Sequence, residues 1–561
     1  MGLKKELGLP GVFSIAAGAM ISSGLFVLPG LAYAKSGPAM ILAYLLASVL
    51  ILPSLFAKAE LATAMPKSGG TYFYIERSLG PVFGTFGGLA NWFSLSLKSA
   101  FALVGIGAFA VMLKPDISIF EIKMIAVFAC IFFTVLNVVS VKVTGKVQVI
   151  LVFVLISILV LYIGRGFIST HPDNYVPFMP NGLWSVVSTA GLVFVSFGGL
   201  TKIASVAEEV KNPSKNIPLG MMLAFFIVTF LYALSVGVTV GIVQGSELSG
   251  SLIPLSLGAE KLIGKAGSIL LAVAAITAFI TTANSGILTA SRSPLAMSRD
   301  QLLPDIFSGL HKKFNTPYIS ILITSVFMVL VIVFLSIEDL VKTASTLMII
   351  LFTMVNLSVI IMRESKIQNY RPQFKVPLYP VTPILALTSY VFLLFEMGTV
   401  PLLSAALFFV IGWISYMLYS RPRVKRTSAI MHIVERITAK ELKTKTLEEE
   451  LKKIVIERDE IVEDRFDRII KKCEVLDFDE TMEIDTVFQK LSHVLSKRVS
   501  VDSKLLHSLF IVREKQSCTV IKPGLAIPHV IIPGNNQFDI VLVRSKKGIV
   551  FPGKDEPVKT M

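Results

Sequence analysis

The chain has 561 residues, of which 53% are hydrophobic and 16% charged, with a net charge of +15 at pH 7 and a mean hydropathy of +0.73. Soluble domains are about 25% charged, so a wholly soluble protein is excluded. The positive charge collects in short loops between apolar runs, the positive-inside pattern of a membrane protein, and implies no nucleic-acid partner. Three cysteines, Cys130, Cys473 and Cys518, are too few and too scattered for a disulfide framework or a zinc site. No metal or cofactor is expected. The first apolar segment is too long, and too interrupted by Gly and Pro, for a cleavable signal peptide.

Residues 1–420 are mostly long apolar runs. A membrane span needs roughly 20 such residues. Twelve segments qualify: Val12–Ala34, Pro38–Ala62, Phe86–Leu113, Ile122–Val141, Val147–Phe167, Ser185–Ala207, Pro218–Val243, Lys265–Met297, Pro317–Leu335, Ile337–Met362, Val381–Met397 and Pro401–Tyr419. With the N-terminus inside, the cytoplasmic loops carry Lys58, Lys67, Arg77, Lys142, Lys146, Lys211, Lys215, Arg299, Lys312, Lys313, Arg363, Lys366, Arg371 and Lys375. The opposite loops carry only Lys35, Lys114, Arg165, Lys261 and Lys265. That asymmetry predicts a multi-pass protein of the cell (inner) membrane, surrounded by lipid, with both termini cytoplasmic.

The first and sixth spans are broken in corresponding places. The first carries Gly18-Ala19-Met20-Ile21-Ser22-Ser23-Gly24-Leu25-Phe26, and the sixth carries Ser196-Phe197-Gly198-Gly199. Non-helical backbone at membrane depth survives only where it lines a cavity or is buried in protein. Matched interruptions in two halves point to a transporter site. The bland alternative is close helix packing by small residues, and Gly105 and Gly107 are read that way. Lys98 lies inside the third span, more than ten residues from either end. A charge there needs a cavity or a partner, the alternative being a lysine that snorkels to the interface. Lys202 follows the second break and either pairs with Glu208 or reaches the cytoplasm.

Residues 421–475 read as a charged helical connector. Between Glu435 and Cys473 an apolar stripe of Leu451, Val455, Val462, Phe466 and Ile469 has helical spacing, and Glu448–Lys452 and Glu449–Lys453 are favourable i,i+4 pairs. Residues 476–561 read as a small α/β cytoplasmic domain. Val487–Leu495 is its helix, Gly524–His529 a loop or strand end, and Phe538–Val543 a strand.

Four motifs of residues 1–420 resemble those of the amino acid–polyamine–organocation permeases: Gly18–Gly30 (GAMISSGLFVLPG), Lys67–Tyr72 (KSGGTY), Phe197–Pro218 (FGGLTKIASVAEEVKNPSKNIP) and Asn284–Pro304 (NSGILTASRSPLAMSRDQLLP). The resemblance runs from about residue 5 to 420. It implies an all-α membrane domain of the leucine-transporter type, with two inverted five-helix repeats plus two helices. It also implies mostly α-amino acid substrates. By resemblance, the amides around Ser22, Ser23 and Gly24 hold a substrate carboxylate, as a half-helix N-terminus would on electrostatic grounds alone. The carbonyls of Met20, Val195 and Gly198 take the ammonium group, and Phe197 is the gating aromatic. Proton-coupled relatives carry a lysine in helix 5 where this chain has Leu155. Coupling is therefore left open between a proton on Lys98 and a sodium ion near Thr281, Thr282 and Ser285.

The C-terminal segment resembles the enzyme IIA domain of the fructose/mannitol phosphotransferase class in Arg513-Glu514-Lys515, Gly524-Leu525-Ala526-Ile527-Pro528-His529 and Gly548-Ile549-Val550-Phe551. It implies His529 as phosphoryl acceptor and a phosphocarrier or other cytoplasmic regulator as partner. The chain stops at Met561, before that family's last strand and helices, and its glycine-rich run is replaced by Cys518–Pro523. A sensor domain that keeps the fold is the alternative. The expected function is secondary active transport of amino acids by alternating access, with no enzymatic step. A phosphotransferase-linked sugar permease, a cation–chloride-type carrier and a transporter-like nutrient sensor are the alternatives. No GxxxxGK[ST] loop is present, which argues against a nucleotide-driven pump.

Overall fold

In the computed structural model the described residues run from 5 to 561, except 6, 68–69, 140–144, 312, 315, 368, 424–427, 432, 434–450, 452–453, 456–468, 500, 517, 523, 533–538 and 553–556. The chain forms two compact units, Met1–Arg458 and Asp459–Met561. Most of the expected connector, including Val462 and Phe466, lies outside the described residues. Leu451 and Ile454 are buried in the core of the first unit.

The first unit is helical. Its first span, α1, comes in pieces: Leu9–Met20, then Ser23–Phe26, then Leu28–Ser36. Four further spans follow: α2 (Met40–Ala64), α3 (Pro81–Ala108), α4 (Ile119–Val139) and α5 (Gly145–Ile168). The second set begins with α6, an α-helix over Gly182–Val193 that changes form at Phe194. It continues with α7 (Pro213–Ile242), α8 (Lys265–Arg299), α9 (Tyr318–Phe334) and α10 (Ile337–Glu364). Then come α11 (Val381–Phe395) and α12 (Thr399–Ser415). Among the described residues nine helices are long and apolar enough to cross a membrane, and Leu9–Met20, Tyr318–Phe334 and Val381–Phe395 are shorter apolar helices. The two sets of five match in detail. Each opens on a broken span, and each has a short helix between its second and third spans, Thr71–Leu79 in one and Pro254–Ile263 in the other.

The third span sits at the centre and packs against α8 and α10. Its small residues explain why. A Cβ at Gly88 would lie 2.4 Å from the Met297 sulfur of α8, so the Met297 side chain fills the space that the small residue leaves between the two helices. One end of α2 is tied to α10 by a carboxylate. Glu60 is fully buried and accepts from Arg363 Nε at 2.8 Å and Nη2 at 2.5 Å, Tyr370 OH at 3.0 Å and the Val376 N–H at 2.7 Å. A buried carboxylate is tolerated when its lone pairs are filled in this way. Without Arg363 it would be an uncompensated charge, at a cost of about 3–5 kcal/mol.

The second unit is α/β. Its strands are β1 (Glu474–Phe478), β2 (Met482–Glu483), β3 (Val520–Lys522), β4 (Leu525–Ala526), β5 (Val541–Val550) and β6 (Val558–Thr560). The sheet order is β1-β5-β6-β4-β3, with β2 also on β5. Two helices accompany it, α13 (Ile484–Val499) and α14 (Ser503–Gln516). Ile484, Val487, Phe488 and Leu491 bury one face of α13, the i, i+3, i+4, i+7 stripe of an amphipathic helix. Phe488 stacks on Phe510 of α14, with ring centroids 5.1 Å apart. The helix expected at Val487–Leu495 is thus longer at both ends. Of the strand expected at Phe538–Val543, Phe538 lies outside the described residues and the strand begins at Val541.

Candidate functional site

The site grows from the break in α1. Ile21 (φ −71°, ψ 85°) and Ser22 (φ −150°, ψ −138°) leave the helical region. The first hydrogen bond beyond them joins the Leu25 N–H to the Ser22 carbonyl at 2.9 Å. The N–H groups of Ser23 and Gly24 therefore have no carbonyl in helical register, and the positive end of the half-helix dipole lies beside them. The hydroxyls of Ser22 and Ser23 are buried and meet no hydrogen-bond partner among the described residues. Four donors thus converge on one break without acceptors.

The sixth span answers it. After Val193 it tightens into a 3-10 helix over Phe194–Leu200 and resumes as an α-helix over Thr201–Val206. A mid-helix 3-10 stretch marks a hinge or strain. The two breaks touch. A Cβ at Gly24 would fall 2.9 Å from Ser196 Cα, and one at Gly199 would fall 2.6 Å from the Ala16 carbonyl oxygen. Glycine is required at both positions because backbone meets backbone there.

The loosened carbonyls are met by side chains from four other helices. Tyr232 OH of α7 donates to the Met20 carbonyl at 2.6 Å, and Tyr44 OH of α2 donates to the Gly24 carbonyl at 2.7 Å. Their rings meet edge to face at 5.6 Å. Lys98 Nζ of α3 donates to the Val195 carbonyl at 3.0 Å and the Ser196 carbonyl at 3.3 Å. On α10, Ser345 Oγ accepts from the Val195 N–H at 3.1 Å and donates to the Leu192 carbonyl at 3.2 Å.

Met20, Ser22, Ser23, Gly24, Val195, Gly198 and Lys98 are therefore brought together. Two of the three carbonyls expected to take an ammonium, those of Met20 and Val195, already accept from Tyr232 and Lys98. Phe197 is fully buried with its ring toward α7, 5.5 Å from Tyr232 and 5.9 Å from Phe225. Tyr44, Tyr232 and Ser345 escaped the sequence reading. A tyrosine inside an apolar run is a usable signal, because its buried hydroxyl must find an acceptor.

A second cluster joins α1 to α8. Thr282 Oγ1 lies 3.5 Å from the Gly18 carbonyl, while Thr281 Oγ1 bonds within α8 to the Ala278 carbonyl at 3.0 Å. Lys202 Nζ donates to Ser285 Oγ at 2.8 Å. An ammonium from α6 thus occupies the hydroxyl expected to face a sodium ion. Leu155 is buried and lines a cavity of about 260 Å³ with Gly18, Gln148 and Thr281.

In the α/β unit, His529 is exposed, and its Nδ1 lies 3.1 Å from the Ile527 carbonyl. That contact assigns the proton to Nδ1 and leaves a lone pair on Nε2. Arg513 Nε and Nη2, from α14, each approach Nε2 at 3.3 Å. A neutral ring nitrogen beside a guanidinium suits phosphoryl acceptance, since the arginine would then meet the added charge.

Each unit matches a known family. A family model described as "Amino acid permease" matches residues 11–426, and one described as the phosphoenolpyruvate-dependent sugar phosphotransferase system EIIA 2 matches residues 469–561. A branched-chain amino acid permease of Bacillus subtilis is 28% identical, covering 75% of this chain and 94% of that protein. A methylthioribose transporter of the same organism is 28% identical, covering 72% and 91%. A serine/threonine exchanger, also from Bacillus subtilis, is 27% identical, covering 76% and 99%.

The unpartnered hydroxyls give a test with opposite signs. An unsatisfied buried polar group costs about 1–3 kcal/mol. Replacing Ser22 and Ser23 together by alanine is expected to raise the melting temperature of ligand-free protein and to weaken binding of a carboxylate ligand. Lower thermal stability with unchanged affinity would show that the hydroxyls serve the fold alone.

Proposed function

The chain belongs to the amino acid permease family, and from that premise we propose that it moves amino acids across the inner membrane by alternating access. The observation that carries this reading is the pair of touching breaks with four donors and no acceptor at Ser22–Gly24. A carboxylate supplies the missing acceptors there. The sugar-permease alternative draws no comparable support from that donor set, and uptake into proteoliposomes separates amino-acid transport from sensing and from ion carriage.

The reading extends to coupling. Lys202 already places an ammonium on Ser285, and a sodium ion at the same hydroxyl would face that charge across a few ångströms of low-dielectric interior. Protons carried by the buried lysines are the coupling ion this arrangement favours. Uptake of labelled amino acid into proteoliposomes is expected to be unchanged when choline replaces sodium and to rise when the outside is made acidic. Uptake that collapses without sodium and ignores the pH gradient would reverse the assignment.

Both termini are assigned to the cytoplasm, from the lysine and arginine asymmetry between alternate loops. An impermeant thiol reagent applied to intact cells is expected to label an Asp173→Cys variant and to spare the exposed Cys518. The opposite labelling pattern would invert the topology.

The α/β unit is read as a regulatory domain that takes a phosphoryl group or a ligand at His529 from a phosphocarrier or another cytoplasmic regulator. The support is the pairing of His529 with Arg513. A chain ending at Arg458, the limit of the helical unit, and a His529→Ala variant are both expected to lose the dependence of transport rate on the energy state of the cell. If the shortened chain transports identically under every condition, the domain is not a regulator. If truncation matters and His529→Ala does not, regulation proceeds without phosphoryl transfer.

A further inference from the structure

The buried charges of the helical unit do not balance. Among the described residues the charged side chains that are buried are Lys58, Glu60, Glu76, Arg77, Lys98 and Lys202. The two carboxylates are already committed to arginines, Glu60 to Arg363 and Glu76 to Arg77. Lys58 lies over the Phe352 ring, 4.4 Å from its centroid. Three lysines thus have no carboxylate among the described residues: Lys58, whose Nζ meets no hydrogen-bond partner there, and, at the α6 break, Lys98 and Lys202, which meet backbone carbonyls and a serine hydroxyl and lie near enough to repel one another. An uncompensated charge at membrane depth is expensive, and such charges mark substrate pathways.

Their position says what would compensate them. Lys98 Nζ lies 3.4 Å from the point where a Gly198 Cβ would stand and bonds to the Ser196 carbonyl, while Ser196 Oγ would nearly touch a Cβ on Gly24. Lys98 therefore belongs to the same chamber as the Ser22–Gly24 donors. That chamber is rich in donors and poor in acceptors: two amides, two hydroxyls and one ammonium, against carbonyls largely taken by Tyr44, Tyr232 and Lys98. A neutral amino acid brings one carboxylate, which the Ser22–Gly24 amides would absorb, and leaves Lys98 unmatched. A cationic side chain would add a third ammonium.

We propose that the transported amino acid is dicarboxylic, with its α-carboxylate on the Ser22–Gly24 donors and its side-chain carboxylate on Lys98. This rests on the amino-acid transport reading above. It makes Lys98 a specificity-determining residue, which leaves the Val195 and Ser196 carbonyls to meet the ligand, so that the Val195 carbonyl is released for the ligand's ammonium while Tyr232 still reaches the Ser196 carbonyl at 3.4 Å. Binding then exchanges a charge–dipole contact for an ion pair, and the α6 hinge feels the exchange directly.

The amides of the acidic amino acids isolate the charge, being nearly isosteric with the acids. Binding of labelled L-glutamate and L-aspartate to the purified full-length chain, competed by L-glutamine, L-asparagine, L-leucine and L-lysine, is expected to favour one acid over its amide by about 30-fold or more, the range of a hydrogen-bonded charge. Lys98→Met is expected to bring that ratio close to one, and Lys98→Arg to keep it. If Lys98→Met does not fold, the wild-type ratio decides the matter alone. Equal or tighter binding of glutamine, asparagine or leucine by the wild-type chain overturns the dicarboxylic assignment and leaves amino-acid transport standing. Failure of every amino acid to bind overturns both.

Discussion

Everything at the centre of this protein follows from one constraint: a backbone N–H or C=O released at membrane depth has no water to bond. Interrupting α1 at Ile21–Ser22 and tightening α6 at Phe194–Leu200 releases several such groups at once. The surrounding bundle is arranged to receive them. Tyr44 and Tyr232 come from α2 and α7, the second spans of the two repeats, and each caps a carbonyl of α1. Lys98 and Ser345 come from α3 and α10 and serve α6. The breaks are thus the point on which four other helices converge, and the groups left unserved among the described residues, at Ser22–Gly24, are where the proposed ligand would supply acceptors.

The same constraint explains the glycines. At Gly24 and Gly199 the two breaks approach so closely that a single methyl group would strike backbone. A packing role and a binding role are usually weighed against each other for small residues in membrane helices. Here the packing would also shape the proposed site, because the donors of α1 and the carbonyls of α6 face the same small volume only if the backbones are in contact.

Charge is distributed with equal economy. Glu60 and Glu76 are each neutralised by an arginine, and the Glu60–Arg363 pair ties α2 to α10. Lys98 and Lys202 are satisfied only by dipoles, which keep an ammonium in place without cancelling it. The ligand chamber therefore remains electropositive. The α/β unit repeats the logic on an exposed surface, where the Arg513 guanidinium faces the lone pair of His529.

The sequence by itself determined the multi-pass helical character of the first unit, the composition break after it, the matched interruptions at Gly18–Phe26 and Ser196–Gly199, and the family of each unit. These are local properties: apolar run length, glycine placement and short motifs record the solvent around a segment and the conformations open to it. It also picked out Lys98, because a charge far from either helix end is anomalous without knowing what surrounds it. Only the tertiary structure decided what Lys98 touches, that Lys202 reaches Ser285, that Phe197 turns toward α7, and that Tyr44 and Tyr232 close the breaks. Those are pairings between residues up to 212 positions apart, fixed by which helix faces pack together. The reason is physical: helical periodicity tells which residues share a face, but which face meets which is set by the packing of the whole bundle, where a released carbonyl takes whatever donor the neighbouring helix presents.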